Sequence, residues 1–417
     1  MVEKKATVVK AIKGGMLIDG TGAEPISNAT VVIEGSKIKA VGRNVAIPPA
    51  AEVIDAKGKT VMPGLIDPHL HFPGTHVPRT KAGLARNPEL QLIEAISEAK
   101  RMLPSGLTTV KSCGGMNGIF LRKAVAEGTL TGLPRIVAAG YLLSQTAGRW
   151  DYPFDPPQCV DAHTTQHAHK HTVICDGVDE CIKAVRSELR VGADFIKICT
   201  GDLPNITPYP QFNLDEIKAI VETAGDAGLF VSAHNEGQLV GMKRSILGGV
   251  KTIDHAAVTN DEIVDLAKQK GTIFVSTLEV LRRLGLAEDV PDDLKYAAKR
   301  FGPWVEPMYE SYSRIRKAGA VLAIGTDYPE IPGFGMLAKE LAAMVKYCGF
   351  TPMDAIVGVT RNAAMACYIG DKTGTIEPGK FADIIIVDGD PLADIKILQD
   401  VAKIKMVMLE GKVEVTR

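Results

Sequence analysis

The chain has 417 residues, more than one compact hydrophobic core usually holds, so one large domain and a smaller one are expected. With 46% hydrophobic and 23% charged residues, it has the composition of an ordinary soluble globular protein. The 48 Lys and Arg residues nearly balance the 49 Asp and Glu residues without a block of one sign, so the sequence favours neither a nucleic-acid partner nor a membrane-surface partner.

The cellular setting is predicted from the N-terminus and the cysteines. Residues 1–6 lead directly into a strand-like segment, without the apolar stretch and cleavage site of a signal peptide, and no run approaches membrane-spanning length. A cytoplasmic location is therefore expected. The seven cysteines are scattered and include no Cys-x-x-Cys pair, which argues against a disulfide framework and against a thiolate zinc site.

Short β-type runs broken by turn residues occupy both ends of the chain. The runs that flank residues 34–36, and those that flank residues 410–412, have the pattern of β-hairpins. Two β-rich ends around a different middle predict one small domain, a β-sandwich formed by residues 1–62 and 372–417.

The middle of the chain, residues 63–371, alternates short apolar strands with amphipathic helices. The candidate strands are residues 65–71, 107–112, 135–139, 195–199, 229–234, 252–255, 272–276 and 321–326. Eight strands separated by helices over about 300 residues predict an α/β fold, a parallel (β/α)8 TIM barrel. A doubly wound open sheet is the alternative, but the chain has no Gly-x-Gly-x-x-Gly turn to favour it.

Two helices carry clear start signals. One begins after Asn87 with a proline at its first position, and its predicted inward residues are Leu92, Ile96, Ala99 and Leu103. The other begins after Asn213, with Glu216 placed as in a capping box, and its predicted inward residues are Ile217, Ile220, Val221 and Ala224.

Polar residues cluster where the predicted strands end. His69 and His71 end the first strand one residue apart, so on an extended backbone they face the same way and would hold one metal ion. The other polar residues on or just after strands are Lys197, His234, His255 and Asp327. Because the carboxyl ends of barrel strands meet on one face, these side chains are expected to lie together.

Each of these residues alone also has a structural explanation. Asp327 would serve as a helix cap, and Lys197 would reach solvent. Six such residues at one end of the strands favour a metal site, since imidazole and carboxylate suit zinc and similar ions. Lys197 lies between Ile196 and Ile198, where burial is expected to oppose protonation, so that its amine would take up carbon dioxide and become an anionic carbamate.

The sequence contains seven short motifs, five of which include these residues. In chain order these read PGLIDPHLH at 63–71, GLTTV at 106–110, GADFIKI at 192–198, SAH at 232–234, TIDH at 252–255, GTD at 325–327 and IEPGKFAD at 376–383. In order and spacing they resemble the amidohydrolase superfamily along nearly the whole chain, and most of all its prolidase-like and imidazolonepropionase-like branch.

The resemblance implies a metal-dependent hydrolase with two divalent ions, foremost zinc, with manganese, iron or cobalt as alternatives. One ion would be held by His69, His71 and Asp327, the other by His234 and His255, with carboxylated Lys197 as the bridge. A hydroxide between the metals would attack the substrate carbonyl, and Asp327 would orient it, take its proton and pass that proton to the leaving nitrogen. The implied reaction is hydrolysis of an amide, peptide or cyclic amide bond, with prolidase, dipeptidase or carboxypeptidase-like activity foremost.

Two segments depart from the family pattern. The family often has Arg-Asp-x-Gly-Gly after the second strand, where this chain has KSCGG at 111–115, and Gly-His-Gly after the third, where it has TAGRWD at 146–151. Both segments are expected near the substrate pocket, so they leave the predicted metal ligands intact and bear on the substrate.

Two loops are candidates for substrate contact. The segment 142–175 is long and rich in aromatic residues and histidines, and it is interpreted either as a variable surface loop or as a lid whose His163 or Arg149 touches the substrate. The turn that begins at Tyr328 would form a second wall of the pocket.

Two other functions stay open from the sequence. A mononuclear deaminase of a heterocycle is favoured by Glu236 close to His234, although the glutamate of such deaminases usually lies three residues after the histidine and Lys197 would then have no role. A barrel without metals that serves as an assembly module is the third, and intact ligands at all six positions argue against it. The expected partners are a small amide or dipeptide substrate and further copies of the chain in a homo-oligomer.

Overall fold

The computed structural model describes residues 8–72, 87–151, 172–290, 292–327 and 337–417. Its strands are β1 Val9–Leu17, β2 Ile26–Glu34, β3 Lys37–Gly42, β4 Glu52–Asp55, β5 Thr60–Pro63, β6 Leu65–Leu70, β7 Leu107–Ser112, β8 Arg135–Ala138, β9 Leu142–Ser144, β10 Thr172–Ile174, β11 Phe195–Gly201, β12 Phe230–Asn235, β13 Thr252–His255, β14 Ile273–Ser276, β15 Leu322–Ile324, β16 Ile384–Val387, β17 Ile404–Leu409 and β18 Lys412–Thr416. Its α-helices are Pro88–Met102, Met116–Ala126, Gly177–Val191, Leu214–Asp226, Leu239–Gly248, Asp261–Lys270, Leu278–Leu286, Ala297–Phe301, Val305–Lys317, Leu337–Tyr347, Pro352–Gly358 and Arg361–Ala366. Short 3₁₀ helices are Leu103–Ser105, Asp292–Leu294, Gly302–Trp304, Ile395–Gln399 and Val401–Lys403.

Strands from both ends of the chain share one eight-stranded sheet. Its order is β18-β17-β16-β5-β1-β2-β3, with β4 paired in parallel to β1. The two predicted hairpins are present as the antiparallel pairs β2–β3 and β17–β18. Antiparallel pairing of β16 with β5, which sets Ile384 opposite Pro63, joins the C-terminal strands to the N-terminal ones. The apolar residues of one face, such as Ile12, Val31 and Met406, are buried together.

The eight predicted strands of the middle region are all present, and each pairs only in parallel. They are β6, β7, β8, β11, β12, β13, β14 and β15. Their ends differ from the predicted bounds by at most two residues. Two further strands of three residues each, β9 and β10, were not predicted, and they extend the second parallel sheet at its edge beside β11.

Backbone hydrogen bonds link the two groups of parallel strands at both flanks. The N–H groups of Thr326 and Asp327, just after β15, donate to the carbonyl of His69 at 3.2 and 2.8 Å. On the other flank, the N–H of Asp194, just before β11, donates to the carbonyl of Ala138 at 2.8 Å. The last parallel strand is thereby brought next to the end of the first, which is where the predicted metal ligands lie.

The two predicted helix starts are present, and one predicted inward face is confirmed in part, since Ala99 and Leu103 are buried as expected. The Asn87 side chain accepts from the N–H of Glu89, and Asn213 and Glu216 form the capping box. In the helix Pro88–Met102 the buried residues are Gln91, Ala95, Ala99 and Met102, whereas Leu92 and Ile96 are only half-buried. The small alanines let this helix pack closely, and the larger aliphatic side chains lie at the flanks of the contact.

The chain passes from the eight-stranded sheet to the parallel strands at Gly64. A Cβ at this position would lie 2.2 Å from Oγ1 of Thr108 on β7, so only glycine allows this approach of the two backbones. The N–H of Gly64 also donates to the carbonyl of Asp383 at 2.9 Å. This tight junction fixes where β6 starts and therefore where His69 ends up.

Candidate metal centre

The six predicted ligands lie on the parallel strands or directly after them. His69 is in β6, Lys197 in β11, His234 in β12 and His255 at the end of β13, while His71 and Asp327 follow β6 and β15. All six residues are buried, with no more than 6% of their surface exposed. Charged and polar side chains are seldom this buried unless they are paired or bind a ligand.

Asp327 lies at the centre of the cluster. Its Oδ1 is 3.2 Å from Nε2 of His69 and 3.2 Å from Nε2 of His71, and its Oδ2 is 4.0 Å from Nδ1 of His255. Burial alone would raise the pKa of Asp327, but the contacts with His69 and His71 outweigh burial and hold the pKa well below its usual range. The carboxylate is thus present as an anion among imidazoles.

The four imidazoles converge on one volume. The ring centroids of His69 and His255 are 4.6 Å apart, those of His234 and His255 4.3 Å, and those of His69 and His71 5.2 Å. Within the described part of the chain, Nε2 of His69 and Nε2 of His234 are buried without a hydrogen bond. Buried ring nitrogens left in this way beside a carboxylate fit the donor set that zinc and similar ions prefer.

Three of the four histidines also have protonation states that suit metal binding, whereas neighbouring groups, Asp254 among them, outweigh burial and raise the pKa of His69. Burial lowers the pKa of His71 to about 4 and lowers those of His234 and His255 well below their usual value, and neighbouring positive charges lower the last two further. These imidazoles are therefore neutral near pH 7, which is the form that binds a metal ion.

Two of the predicted ligands adopt backbone conformations that non-glycine residues rarely use. His255 has φ of 74° and Asp327 has φ of 58°. Side chains alternate along a regular strand, so Asp254 and His255 would otherwise face opposite sides of β13. The left-handed turn at His255 brings both of these side chains to the interior, and such strain, on the order of 1–3 kcal/mol, is typical of functional sites.

The structure corrects the expectation about the protonation of Lys197. Its Nζ contacts Oδ2 of the buried Asp254. Burial opposes protonation, as expected from the sequence, but the contact with Asp254 outweighs burial and raises the pKa of Lys197. The neighbouring carboxylate, which sequence reasoning had given no role, therefore sets the charge of this lysine.

Two further side chains that sequence reasoning missed support the cluster through hydrogen bonds. Oγ1 of Thr277 is 2.8 Å from Nδ1 of His255. The carboxylate of Asp67 accepts the hydroxyl of Thr326 at 2.6 Å and the N–H of His69 at 3.1 Å, and burial raises its pKa to about 6. Asp67 lies inside a quoted motif, and its even spacing from His69 was the signal that it faces inward.

The position of Lys111 also differs from the expectation. This residue begins the segment 111–115, which departs from the family pattern. It was expected near the substrate pocket, but its side chain is fully buried and its Nζ is 4.0 Å from Oδ1 of Asp254. Inward-facing residues of parallel strands stack in layers, and Lys111 occupies the layer of Ser232 and Thr252 beneath the ligands.

Of the predicted substrate residues, Arg149 lies beside the cluster. Its guanidinium is 2.8 Å from the buried carboxylate of Asp202 and 4.0 Å from Glu236, whose Oε1 is in turn 4.0 Å from Nε2 of His234. The ring of Trp150 meets that of His234 edge-on at 4.7 Å between centroids. His163 with the histidine-rich segment 163–171, and Tyr328, lie outside the described residues.

Among the helices in the described ranges, none combines the length and the apolar character that a membrane span requires.

Comparison with known proteins agrees with this site. The model of the amidohydrolase family matches residues 60–413. An ochratoxinase from Aspergillus niger is 32% identical over 432 aligned residues, which cover 98% of this chain and 87% of that protein. An imidazolonepropionase from Caldanaerobacter subterraneus is 25% identical, with 88% of this chain and 86% of that protein covered.

Solved structures lead to the same family. The crystal structure of A. niger ochratoxinase matches with a TM-score of 0.87 and 30% identity over 99% of this chain and 97% of that one. A Xaa-Pro dipeptidase with methionine bound in its active site matches with a TM-score of 0.82 and 30% identity over 97% and 99% of the two chains. These neighbours imply a TIM-barrel-like α/β fold. The chain therefore belongs to the amidohydrolase family and is a metal-dependent hydrolase of carbon–nitrogen bonds.

Proposed function

We propose that this chain hydrolyses the amide, peptide or cyclic amide bond of a small substrate at a centre of two divalent metal ions, with dipeptide or prolidase-like substrates foremost. One observation carries the proposal: six side chains from four strands and from the segments after β6 and β15 meet in one buried cluster of imidazoles, a carboxylate and a lysine. The donor set favours zinc, with manganese, iron or cobalt as alternatives.

The proposed ligand sets divide the cluster between two ions. His69, His71 and Asp327 would hold one ion, His234 and His255 the other, and Lys197 would bridge them as a carbamate. In forming the carbamate, the ammonium group of Lys197 first loses a proton, and Nζ of the neutral amine then bonds to the carbon of carbon dioxide with release of a second proton. The anion replaces an ammonium group, which suits a position between two cations.

The chemistry follows from the same groups. The bound ions would polarise the scissile carbonyl and favour deprotonation of water. Water adds to the carbonyl carbon and the C–N bond breaks, while Asp327 takes a proton from the water and delivers it to the leaving nitrogen. Burial of the cluster keeps bulk water away and strengthens the interaction of these charges with the reacting atoms.

The substrate class is proposed from the relatives and from the edge of the site. Among solved structures of similar fold are a Xaa-Pro dipeptidase with methionine in its active site and a prolidase complexed with N-methylphosphonate-L-proline. Glu236 lies 4.0 Å from both Arg149 and His234, so Arg149 is at the edge of the cluster. We propose that Arg149 touches the substrate, together with His163 and Tyr328.

Finer points of architecture belong to the same proposal. The parallel strands would close into a (β/α)8 barrel spanning residues 63–371. The eight-stranded sheet would fold into a β-sandwich domain built from residues 1–62 and 372–417, and the chain would assemble as a homo-oligomer.

Metal content and a substrate library test the main proposal. Protein expressed with zinc and kept away from chelators is expected to hold two equivalents per chain by elemental analysis. Libraries of dipeptides, N-acyl amino acids and cyclic amides are expected to yield at least one substrate whose cleavage stops after metal removal. Fewer than one equivalent of metal, with no cleavage in any library, would revive the assembly-module alternative.

The bridging lysine gives a sharper test. Lys197→Ala is expected to lose the second metal and nearly all turnover, with partial rescue by short carboxylic acids that replace the carbamate. Lys183→Ala, which removes an exposed lysine from a helix, is the control and should leave the metal content and the turnover unchanged. One bound metal with full activity in Lys197→Ala would contradict the binuclear mechanism.

That outcome would favour the mononuclear deaminase. The observation behind this second candidate is the carboxylate of Glu236, 4.0 Å from Nε2 of His234, where it would shuttle protons. Glu236 also lies 4.0 Å from the guanidinium group of Arg149. Ammonia release from aminated heterocycles by wild-type protein distinguishes the two functions directly.

A further inference from the structure

A lysine that the proposed mechanism does not use lies beneath the metal centre. Lys111 is fully buried in β7, and its Nζ is 3.1 Å from Oγ of Ser232, 3.4 Å from Oγ1 of Thr252 and 3.5 Å from the carbonyl of Ala366. The same ammonium group lies 4.8 Å from the ring centroid of Phe195. Hydroxyl and carbonyl oxygens together with an aromatic face form a pocket for a cation.

Asp254 connects this cation to two predicted ligands. Its Oδ1 is 4.0 Å from Nζ of Lys111, while its Oδ2 contacts Nζ of Lys197 and lies 3.1 Å from Nδ1 of His69. The hydroxyl of Ser232 donates to the same Oδ2 at 2.8 Å. One buried carboxylate thus contacts ligands of two different strands, and any movement of Asp254 would displace both.

We propose that Lys111 is a positioning residue of the metal centre, the counter-charge that holds Asp254 in place when Lys197 is a carbamate. The inference rests on the proposed function, because it assumes a modified Lys197. Before modification, Asp254 faces two lysines. Modification converts one of these positive charges into a negative one, so that Asp254 faces an anion and keeps only Lys111 as a lysine partner.

The surroundings of the two lysines differ, and they favour Lys197 over Lys111 as the site of the carbamate. Lys111 Nζ is enclosed by Ser232, Thr252 and Ala366 and by the rings of Phe195 and Phe230, which leaves its three protons directed at acceptors and π faces. A carboxyl group added there would meet these oxygens and rings. Lys197 instead lies in the layer of the imidazoles.

A buried charge without a counter-charge destabilises the folded protein. Removing one partner of a buried pair therefore lowers stability far more than removing both partners. A carboxylate that accepts from a metal-binding imidazole fixes the orientation of that ring, and losing such support typically lowers metal affinity 10- to 100-fold. Loss of Lys111 should therefore weaken metal binding although Lys111 touches none of the proposed ions.

The test compares Lys111→Met, Lys111→Arg and the double variant Lys111→Met/Asp254→Asn with wild-type protein, and Lys183→Met is the exposed control. Zinc affinity is measured by chelator competition, and carbamate occupancy by ¹³C NMR after equilibration with ¹³C-bicarbonate. Lys111→Met is expected to bind zinc at least about tenfold more weakly and to lose most of the carbamate signal. Lys111→Arg, which keeps the charge, is expected to recover most of the zinc affinity and most of the carbamate signal.

The double variant decides the matter if Lys111→Met does not fold. It removes both partners of the Lys111–Asp254 pair, so its thermal stability should exceed that of Lys111→Met, while its zinc affinity should stay at least about tenfold below that of the wild type. Wild-type zinc affinity and a full carbamate signal in either neutral variant would overturn the inference. Fewer than two metals in the wild type would contradict the proposed function instead, so the two failures are distinguishable.

Discussion

The imidazole of His255 is oriented by a single hydroxyl group. Oγ1 of Thr277 lies 2.8 Å from Nδ1, which leaves the other ring nitrogen for a metal ion. Thr277→Val keeps the shape of the side chain but removes the hydroxyl, and we expect zinc affinity to fall about 10- to 100-fold with little change in secondary structure. Chelator competition measures this change. Thr277→Ser restores the hydroxyl and should bind like wild type, so equal affinities in the two variants would contradict this role.

Single residues also show where sequence reasoning succeeds and where it stops. His69 and His71 were predicted to act together because alternation along a strand puts both on one face. The same rule would place the side chains of Asp254 and His255 on opposite faces. No local sequence pattern predicts the left-handed conformation at His255, which brings both side chains inward. The raised pKa of Lys197 was missed for the same reason, since it depends on Asp254, 57 residues further along the chain.

At the level of elements, the helix Gly177–Val191 carries a buried carboxyl group. Glu188 is 1% exposed, its Oε2 accepts from the N–H of Tyr141 at 2.8 Å, and burial raises its pKa from 4.5 to about 8. The folded protein therefore binds a proton that the unfolded chain releases above pH 4.5. The stability due to this group is fully present below pH 4.5 and is lost as the pH rises towards 8, by on the order of 5 kcal/mol.

Replacing this glutamate with glutamine tests that pH dependence. Glu188→Gln keeps an acceptor for Tyr141 but cannot ionise, so urea unfolding should show similar stabilities for variant and wild type at pH 4.5 and a more stable variant at pH 8.5. Glu222→Gln, at an exposed position of the next helix, is the control and should track the wild type. Parallel stability curves for Glu188→Gln and wild type across this range would show that Glu188 does not titrate there.

The strands that sequence reasoning found and missed differ in length. Apolar runs of four to seven residues bounded by turn signals identified all eight parallel strands of the middle region, because buried parallel strands read as continuous apolar segments. The three-residue strands β9 and β10 are too short to show any period. The face of the helix Pro88–Met102 was predicted only in part, because Ala95 is buried by close packing and hydrophobicity alone does not rank it above the half-buried Leu92.

At the scale of the molecule, one charged group joins the eight-stranded sheet to the parallel strands. Arg135 on β8 is 2.8 Å from the buried carboxylate of Asp383 and 2.7 Å from Glu410. Asp383 ends the motif at 376–383, so the structural role of this motif is to anchor the C-terminal strands rather than to take part in the metal cluster. Sequence order alone did not reveal this contact, which spans 248 residues.

Removing that anchor should destabilise the whole chain. Arg135→Met leaves Asp383 buried without its counter-charge, and we expect the free energy of unfolding in urea to fall by about 3 kcal/mol. Adding Asp383→Asn should recover part of the loss, since both charges are then gone. Arg43→Met removes an exposed arginine as the control. Additive effects of the two substitutions would mean that the ion pair does not couple the sheet to the parallel strands.

Metal binding should stabilise the molecule as a whole, because the proposed ligands come from β6, β11, β12, β13 and the segment after β15. An ion that binds only the folded chain adds about 2.7 kcal/mol at a hundred times its Kd, so two sites would add on the order of 5 kcal/mol. Chelator-treated protein is therefore expected to melt several degrees lower than metal-loaded protein, and added zinc should restore the melting temperature. In His71→Ala, which lacks one proposed ligand, zinc should restore only part of that difference. An identical melting temperature for the chelator-treated and metal-loaded wild type would mean that the cluster binds no ion tightly, and would place the buried imidazoles in a purely structural role.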